Sequence, residues 1–343
     1  MLKRKFVAYV FLSIISVGYL PGQGLAATAA PKAKIIVAKS GGNYTTVTAA
    51  LNAITPGVTN PYIIEVWPGT YVENIVMKNY VALQGSGRDV TTIKAASTTT
   101  PTLTINTSNV MVSGFTLSNT IVNDAVVYIK GNDVVLRDNT VTNNNTMNGA
   151  GIYIQSGDPI LVSGNKISDG LGFYGGSPVI SDNIISNNNQ SAGIACWYGK
   201  NAVIADNKIY GNTYGISCGT NESITIIGNA ISQNSNDGIY TYQTEGVISS
   251  NKINGNGGSG ISASGATLAI SENTITNNAN NGLFAQGANI RVLHNGVTGN
   301  GGGIYSDVQA GSPDTNFSFN IFDSITGSTV GKYNLKSDGT PWP

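Results

Sequence analysis

One short phrase recurs eight times between Leu136 and Val297, and its recurrence limits what this chain can fold into. The phrase is an aliphatic residue, two variable residues, Asn, one variable residue and then Ile or Val. Counted along the chain, the steps from one of these Asn to the next are 26, 18 and 24, and then four times 22. Such a period is typical of a solenoid whose repeats bury their apolar faces only by stacking on one another. These anchor Asn residues are Asn139, Asn165, Asn183, Asn207, Asn229, Asn251, Asn273 and Asn295.

Each repeat predicts one coil of three short strands and three turns. The aliphatic residues three before and two after each anchor Asn are expected to point into the core. Stacked Asn side chains carry both donors and acceptors, so they can hydrogen-bond from coil to coil, and they are expected to tolerate left-handed backbone in the turn. The pattern therefore predicts an all-β fold, a parallel β-helix with coils about 4.8 Å apart and about 22 residues long. A second Asn column is predicted at Asn144, Asn188, Asn212, Asn234, Asn256, Asn278 and Asn300.

The first thirty residues predict export. Residues 1–30 begin with a basic cluster, continue with an apolar run and end in small residues, which is typical of a secretory signal peptide cleaved near residues 26–27. Without the three basic residues of that cluster, 15 basic residues stand against 18 acidic ones, so nucleic acid is not an expected partner. No later segment is apolar enough to cross a bilayer, so the mature protein is expected to have no membrane span. The expected location is secreted, periplasmic or at the cell surface.

The rest of the chain divides into a solenoid and two ends. Residues 31–60 are predicted to form an N-terminal cap with a short amphipathic helix between residues 44 and 54, and residues 61–310 the β-helix. Residues 311–343 are predicted to form a C-terminal cap or tail, because the regular phrase decays there. Caps are needed because an open stack would expose its core and its sheet edges.

Several short motifs lie between residues 35 and 95: Val37-Ala38-Lys39, Asn43-Tyr44-Thr45-Thr46-Val47, Glu65-Val66-Trp67-Pro68-Gly69-Thr70-Tyr71-Val72-Glu73 and Leu83-Gln84-Gly85. In these motifs the segment resembles the opening of pectin methylesterases. The remaining array resembles the Asn-Ile repeats of NosD-like, carbohydrate-associated β-helix proteins. The resemblance implies a right-handed parallel β-helix of the pectin-lyase-like superfamily, and the bias of parallel crossovers agrees with that hand.

The catalytic signatures of the families that this chain resembles are not found in it. There is no counterpart of the Gln-Asp-Thr or Gly-Arg-Pro-Trp motifs of pectin methylesterases, nor of the Ca²⁺-binding Asp set of pectate lyases. The Asp-Pro-His-Asp motif of alginate epimerases is also missing, since the one His is His294. The repeat array itself predicts a fold rather than a reaction.

A set of aromatic side chains is predicted to face outward on the strand that begins with Gly in each coil, because side chains alternate along a strand. Aromatic rings stack on the apolar faces of sugar rings, so this face is predicted to bind polysaccharide; ordinary surface aromatics are the alternative. The set is Tyr153, Trp197, Tyr240, Tyr242, Phe284 and Tyr305.

The shortest coil, between Asn165 and Asn183, is predicted to leave a notch. Its anchors are separated by 18 positions, whereas the separations on either side are 26 and 24. A locally pinched coil without a pocket is the alternative. The side chains predicted around the notch are Tyr153, Gln155, Tyr174, Trp197 and Tyr198, with Asp158 and Asp169 nearby.

The residue before each anchor Asn is expected to face solvent, which places Asp182 and Asp206 one coil apart. Two carboxylates about 5 Å apart suit a retaining glycosidase, and consecutive carboxylates also suit Ca²⁺. Solvated turn residues are the alternative. No other cofactor is expected.

Cys196 and Cys218 occupy equivalent positions in successive repeats, and both are predicted to point inward. They either form a disulfide between neighbouring coils or stack as thiols in the core.

Two classes of function remain open. The first is a secreted protein that binds polysaccharide without the catalytic set of pectin esterases. The alternative is a polysaccharide-active enzyme, either a lyase, a glycoside hydrolase or a pectinesterase-like esterase, whose site is assembled across coils. Its candidate catalytic residues are Asp182, Asp206, Asp158 and Asp169.

Overall fold

The computed structural model describes residues 33–144, 149–221, 223–307, 316–318, 320–322, 324–327, 334–336 and 338–341. The predicted signal peptide, residues 1–30, lies outside them. In the described residues the chain forms the predicted parallel β-helix, in which each full coil contributes one strand to each of three sheets. The sheets are numbered in the order in which a coil visits them, and the strands are numbered along the chain.

Sheet 1 has 13 strands within the described ranges, and neighbouring strands pair in parallel. They are β1 (Ala33–Val37), β2 (Tyr62–Val66), β5 (Val81–Gly85), β8 (Val110–Ser113), β11 (Val134–Arg137), β14 (Ile160–Ser163), β17 (Val179–Ser181), β20 (Val203–Ala205), β23 (Ile224–Ile227), β26 (Glu245–Ser249), β29 (Thr267–Ser271), β32 (Asn289–Leu293) and β35 (Asn316–Ser318).

Sheet 2 also has 13 strands in the part of the chain that the structure describes. They are β3 (Gly69–Val72), β6 (Thr91–Lys94), β9 (Thr116–Asn119), β12 (Thr140–Asn143), β15 (Lys166–Ser168), β18 (Ile184–Ser186), β21 (Lys208–Tyr210), β24 (Ala230–Ser232), β27 (Lys252–Asn254), β30 (Thr274–Thr276), β33 (Gly296–Thr298), β36 (Ile321–Phe322) and β38 (Leu335–Lys336).

Sheet 3 has 12 strands among the described residues and carries the candidate site. They are β4 (Ile75–Val76), β7 (Leu103–Ile105), β10 (Ala125–Ile129), β13 (Ala150–Ile154), β16 (Leu171–Tyr174), β19 (Ala192–Trp197), β22 (Tyr214–Gly219), β25 (Ile239–Tyr242), β28 (Ile261–Ser264), β31 (Asn281–Gln286), β34 (Gly302–Asp307) and β37 (Ile325–Gly327). The last strands of all three sheets lie in, or reach into, the segment predicted to be a C-terminal cap or tail.

The core is a set of aliphatic stacks. Side chains three before and two after every anchor Asn are buried, none of them more than 2% exposed, as predicted. A Gly at the start of most sheet 3 strands lets the backbone approach the core closely. At Gly215, for example, a Cβ would lie 2.4 Å from the carbonyl oxygen of Gly238 and 2.5 Å from Cγ2 of Ile231.

The anchor Asn residues form a continuous ladder in the turn from sheet 1 to sheet 2. The backbone N–H and the Nδ2 of Asn229 both donate to Oδ1 of Asn251, at 2.9 and 3.0 Å, and Nδ2 also donates to the carbonyl of Ile204 at 2.9 Å. The same pattern recurs from coil to coil and continues beyond Asn295 to Asn320 and Asn334. Each amide is therefore buried with its donors and acceptor satisfied.

Two details of the Asn prediction are wrong. The residue before the anchor Asn adopts the left-handed backbone, not the anchor itself: φ is 56° at Ser250 and 59° at Glu272. The second Asn column forms a ladder from Asn188 to Asn300, but Asn144 is exposed and stands outside it. Asn143 is buried instead and donates to the carbonyl of Ile121.

Helix α1 (Val47–Asn52) lies within the predicted range and packs on the first coils. Thr46 caps it, because its hydroxyl accepts a hydrogen bond from the N–H of Ala49 at 3.2 Å. The buried carboxylate of Glu73 accepts two more, from Val47 N–H at 2.9 Å and Thr48 N–H at 2.8 Å. This helix thus covers the first coil. No helix among the described residues is long and apolar enough to cross a bilayer.

Cys196 and Cys218 are stacked partners on β19 and β22 and form a disulfide, with their Cα atoms 4.6 Å apart. Both side chains are fully buried, so the crosslink joins two neighbouring coils within the core.

Candidate functional site

The outer face of sheet 3 carries a row of aligned aromatic and small side chains. The side chains of this central row are in register from strand to strand. The row begins with two tyrosines, continues with three small residues, and ends with three aromatic residues, the first of which is separated from the other two by Ser262. Each member lies one strand from the next, so the row runs along the axis of the β-helix. The central row is Tyr128, Tyr153, Gly172, Ala195, Ser217, Tyr240, Ser262, Phe284 and Tyr305.

Tyr128 belongs to this row but was not predicted from the sequence. It lies before the first anchor Asn, where the regular phrase has not yet begun. The available signal was local: Ala125–Ile129 reads AVVYI and Ala150–Ile154 reads AGIYI, with Tyr at the same position.

A second row lies two residues further along the strands. Tyr174, Trp197, Gly219 and Tyr242 are in register, and the three aromatic side chains are exposed. The Trp197 ring lies over Gly219, since a Cβ there would be 2.2 Å from Cζ3 of Trp197. Tyr174 also contacts Tyr198, with ring centroids 4.8 Å apart.

A cleft of about 510 Å³ lies where the chain enters sheet 3 at the short coil. The turn from sheet 2 to sheet 3 has only Asp169 and Gly170 there, whereas the corresponding turns of the flanking coils span residues 144–149 and 187–191. Gly149 and Ala150 of one flanking coil and Gln190 and Ser191 of the other line the cleft beside this short turn. The residues that matter most in the lining are Asp124, Tyr128, Tyr153, Asp169, Gly172 and Gln190.

The predicted notch residues divide between two ends of sheet 3. Tyr153 and Asp169 line the cleft, whereas Tyr174, Trp197 and Tyr198 lie at the opposite end of their strands. Asp158 is in the turn from sheet 3 to sheet 1, exposed and hydrogen-bonded to the Ser177 hydroxyl at 3.0 Å. The expectation that Asp158 and Asp169 share one depression is therefore wrong.

Asp169 is the most unusual carboxyl group of the cleft. Burial raises its pKa to about 6, against the opposing effect of hydrogen bonds from the Ser168 hydroxyl and the Asn143 backbone. Its φ of 64° is accommodated in the two-residue turn. A carboxyl with this pKa exchanges a proton near neutral pH. It can donate a hydrogen bond to a sugar hydroxyl when protonated and accept one from it when ionised.

The two tyrosines of the cleft are held against each other. Their ring centroids are 6.1 Å apart at an interplanar angle of 43°, and the Tyr128 hydroxyl donates to Oε1 of Gln155. Burial and then the neighbouring Tyr128 raise the pKa of Tyr153. Gly172 continues the floor beside them, because a Cβ there would make ordinary contact with Tyr153 at 3.5 Å.

A second depression, of about 470 Å³, lies further along the same edge of sheet 3. Asp237, Ser262 and Phe284 are among its lining residues, and Phe284 stacks on Tyr305 with centroids 5.0 Å apart. The Asp237 carboxylate accepts a hydrogen bond from Ser259 N–H at 2.6 Å. Burial raises the pKa of Asp237, although this hydrogen bond lowers it. Sequence reasoning missed this carboxyl, because nothing in the repeat pattern distinguishes it.

The remaining candidate carboxylates are elsewhere. Asp182 and Asp206 are exposed and stacked in the turn from sheet 1 to sheet 2, away from the aromatic rows. Partial burial and then the charge of Asp182 raise the pKa of Asp206. Among the residues that the structure describes, no three His, Cys, Asp or Glu side chains are grouped so as to hold a metal ion.

Solved structures with a similar backbone come from several proteins. The A-module of the mannuronan C-5 epimerase AlgE6 of Azotobacter vinelandii has a TM-score of 0.63 at 17% identity, over 86% of this chain and 93% of that one. The periplasmic alginate epimerase AlgG has a TM-score of 0.55 at 14% identity, over 81% and 75% of the two chains. The Dettilon tailspike protein gp208 has a TM-score of 0.57 at 15% identity, over 88% and 68%. At these identities the likeness concerns the fold alone.

The sequence itself matches one family model. No curated protein sequence matches the chain significantly. The model described as the right handed beta helix region matches residues 72–231, 124–268 and 213–322. These overlapping matches span most of the chain and all of the central row, and the protein therefore belongs to the right-handed β-helix family.

Proposed function

We propose that this protein is exported and binds a polysaccharide on the outer face of sheet 3, with the cleft of Tyr128, Tyr153 and Asp169 as its principal site. The observation that carries the proposal is the alignment of this cleft with the central row. Aromatic rings offer flat apolar faces to sugar rings, and a row along the helix axis suits a polymer. The names of two similar structures, a mannuronan epimerase and an alginate epimerase, also point to polysaccharides.

The polar groups of the cleft complement its rings. Asp124, Asp169 and Gln190 bring carboxyl and amide groups to its walls. A ligand site that combines apolar surface with a few convergent polar groups is the usual form of a small-molecule or glycan site. The predicted signal peptide supports an extracellular or periplasmic location.

Binding is tested by affinity electrophoresis in gels that contain one polysaccharide each. The double variant Tyr128→Ala/Tyr153→Ala should lose most of the retardation that the parent shows, because it removes both rings of the cleft. Tyr210→Ala, on sheet 2, is the matched control and should behave as the parent. Retardation that is unchanged in the double variant on every retarding polymer would exclude the cleft as the site.

A second variant blocks the cleft instead of emptying it. Gly172→Leu adds a side chain on the floor beside Tyr153, at a position where the backbone conformation suits any residue. It should reduce retardation about as much as the double variant while its thermal midpoint stays close to that of the parent. If both variants lose retardation while Gly172→Leu keeps the thermal midpoint of the parent, the loss reflects binding and not folding.

A second candidate function is catalysis on the bound polymer. It is favoured by two carboxyl groups in one cleft, Asp124 exposed and Asp169 partly buried with a pKa of about 6. Carboxyls in two different environments can divide the roles of acid and base, and a pKa close to the working pH suits a general acid.

Product assays decide between binding and turnover. The proposal of binding alone expects that no reducing ends, unsaturated uronides or methanol are released from pectins, alginates or bacterial exopolysaccharides, with or without Ca²⁺. Release that is lost in Asp169→Asn but kept in Asp158→Asn would establish the enzyme instead. Asp158 is the matched control because it is exposed in the turn from sheet 3 to sheet 1.

A further inference from the structure

Among the residues that the structure describes, acidic side chains and no basic ones line the two depressions of sheet 3. The first is lined by Asp124 and Asp169 and the second by Asp237, and neither lining includes Lys, Arg or His. The strands of sheet 3 also contain no Lys, Arg or His in the described part of the chain. The surface that carries the aromatic rows is therefore neutral to acidic.

The basic residues of the solenoid lie mainly on other surfaces. Lys166, Lys208 and Lys252 stand outward in one register column of sheet 2, two coils apart. Arg137 and Arg291 belong to strands of sheet 1. Lys130 and Lys200 lie in the turns from sheet 3 to sheet 1, at the strand ends opposite to the cleft, and Asp133 and Asp158 lie in the same series of turns.

The remaining polar groups of the two depressions are uncharged. Gln190 and Ser191 stand on the wall of the first, and Ser262, Asn280 and Asn281 line the second. Hydroxyl and amide groups can both donate and accept, as sugar hydroxyls do. A polyuronate carries a carboxylate on every residue, and like charges in contact disfavour binding unless a cation separates them.

The spacing of the depressions extends this argument to a polymer. Tyr153 and Phe284 are separated by six steps of the central row, roughly 29 Å at the ordinary strand spacing. Small side chains at Gly172, Ala195 and Ser217 leave the path open near the first depression. A chain that occupies both depressions therefore meets carboxylates at both ends of its path.

We propose that the sheet 3 face selects an uncharged polysaccharide and disfavours polyuronates. This inference rests on the proposed function, because it names the class of polymer that the same face binds. The polymer class that we propose differs from alginate, the polyuronate that the names of two structural neighbours suggest.

The test compares polymers that share a backbone and differ in charge. Polygalacturonate and alginate are each paired with their carboxyl-reduced forms, and a β-glucan, a mannan and a xylan complete the panel. Runs are made at pH 8, above the pKa of about 6 of Asp169, with a chelator and separately with Ca²⁺. The quantity compared is the retardation that the variant Tyr128→Ala/Tyr153→Ala loses, so polymer held by the sheet 2 lysines does not count.

The expected result is that uncharged polymers retard the parent through sheet 3 with dissociation constants at least about tenfold below those of the polyuronates. Equal or tighter binding of a polyuronate through sheet 3, with or without Ca²⁺, overturns the selectivity but leaves the proposed function standing. If no polymer of the panel shows retardation that depends on the two tyrosines, the proposed function fails with it.

A charge variant tests the cause. Asp169→Asn/Asp237→Asn should lower the ratio of polyuronate to uncharged dissociation constants by about threefold or more, because it removes one carboxylate from each depression. Asn tolerates the left-handed backbone at position 169 and can still accept the hydrogen bond at position 237. The charge-matched control Asp89→Asn/Asp133→Asn, in turns outside both depressions, should leave the ratio unchanged. An equal fall in control and test variants would refute a local effect.

Discussion

At the scale of single residues, the Asn ladder explains why the sequence repeats so strictly. Each anchor Asn after Asn139 accepts two N–H groups of the preceding coil on Oδ1 and donates back to a carbonyl of that coil, so a change at one coil leaves groups unpaired in its neighbour. The period made eight of these positions predictable. Asn320 and Asn334 were missed because Phe317 and Phe322 replace the aliphatic residues of the phrase around Asn320, and because the phrase is lost around Asn334.

Asn251→Leu is expected to destabilise the protein clearly. It removes the acceptor of Asn229 N–H in a buried turn, and each orphaned buried group costs about 1–3 kcal/mol. Urea unfolding monitored by circular dichroism measures the change. The control Asn189→Leu alters an exposed Asn and should change the free energy of unfolding by less than about 0.5 kcal/mol. Equal effects would mean that the ladder contributes nothing specific.

At the scale of elements, the position of the cleft depends on which turn of the short coil was shortened. The short spacing between Asn165 and Asn183 predicts a depression but not its corner. In the structure the shortened turn is the one between β15 and β16. Asp169 and Tyr153 therefore lie together, and Trp197 lies at the other end of the sheet. Coil length alone cannot reveal this, because any of three turns could have lost the residues.

Helix α1 makes a second prediction at this scale. Glu73→Ala should destabilise the N-terminal cap, since it leaves Val47 N–H and Thr48 N–H without their acceptors at a buried carboxylate, at about 1–3 kcal/mol for each group that stays unpaired. Glu65→Ala is the control, because its ion pair with Lys34 is solvent-accessible and is expected to contribute about 0–1 kcal/mol. Urea unfolding and limited proteolysis near residue 47 measure both. A Glu73 variant as stable as the Glu65 variant would show that the cap does not depend on this carboxylate.

At the scale of the whole molecule, the fold was far more predictable than the site. Every coil packs similar aliphatic side chains into the core at equivalent positions, so the same sequence pattern recurs in coil after coil. The outward residues face no such constraint, and Tyr128, Asp124 and Asp237 become meaningful only when the register places them beside other side chains. A carboxyl such as Asp169 acquires its raised pKa from its burial in the folded cleft, which no local motif records.

The anchor Asn residues from Asn207 to Asn295 are evenly spaced, so each coil in this range adds the same length along the helix axis. Every coil in that range has the same length, so the distance between the two depressions is set by counting coils. A relative that gained or lost one complete coil between them would lengthen or shorten its reach in steps of about 4.8 Å, with the chemistry at either end unaltered. Reach and recognition are therefore encoded separately, and one can change in evolution while the other is retained.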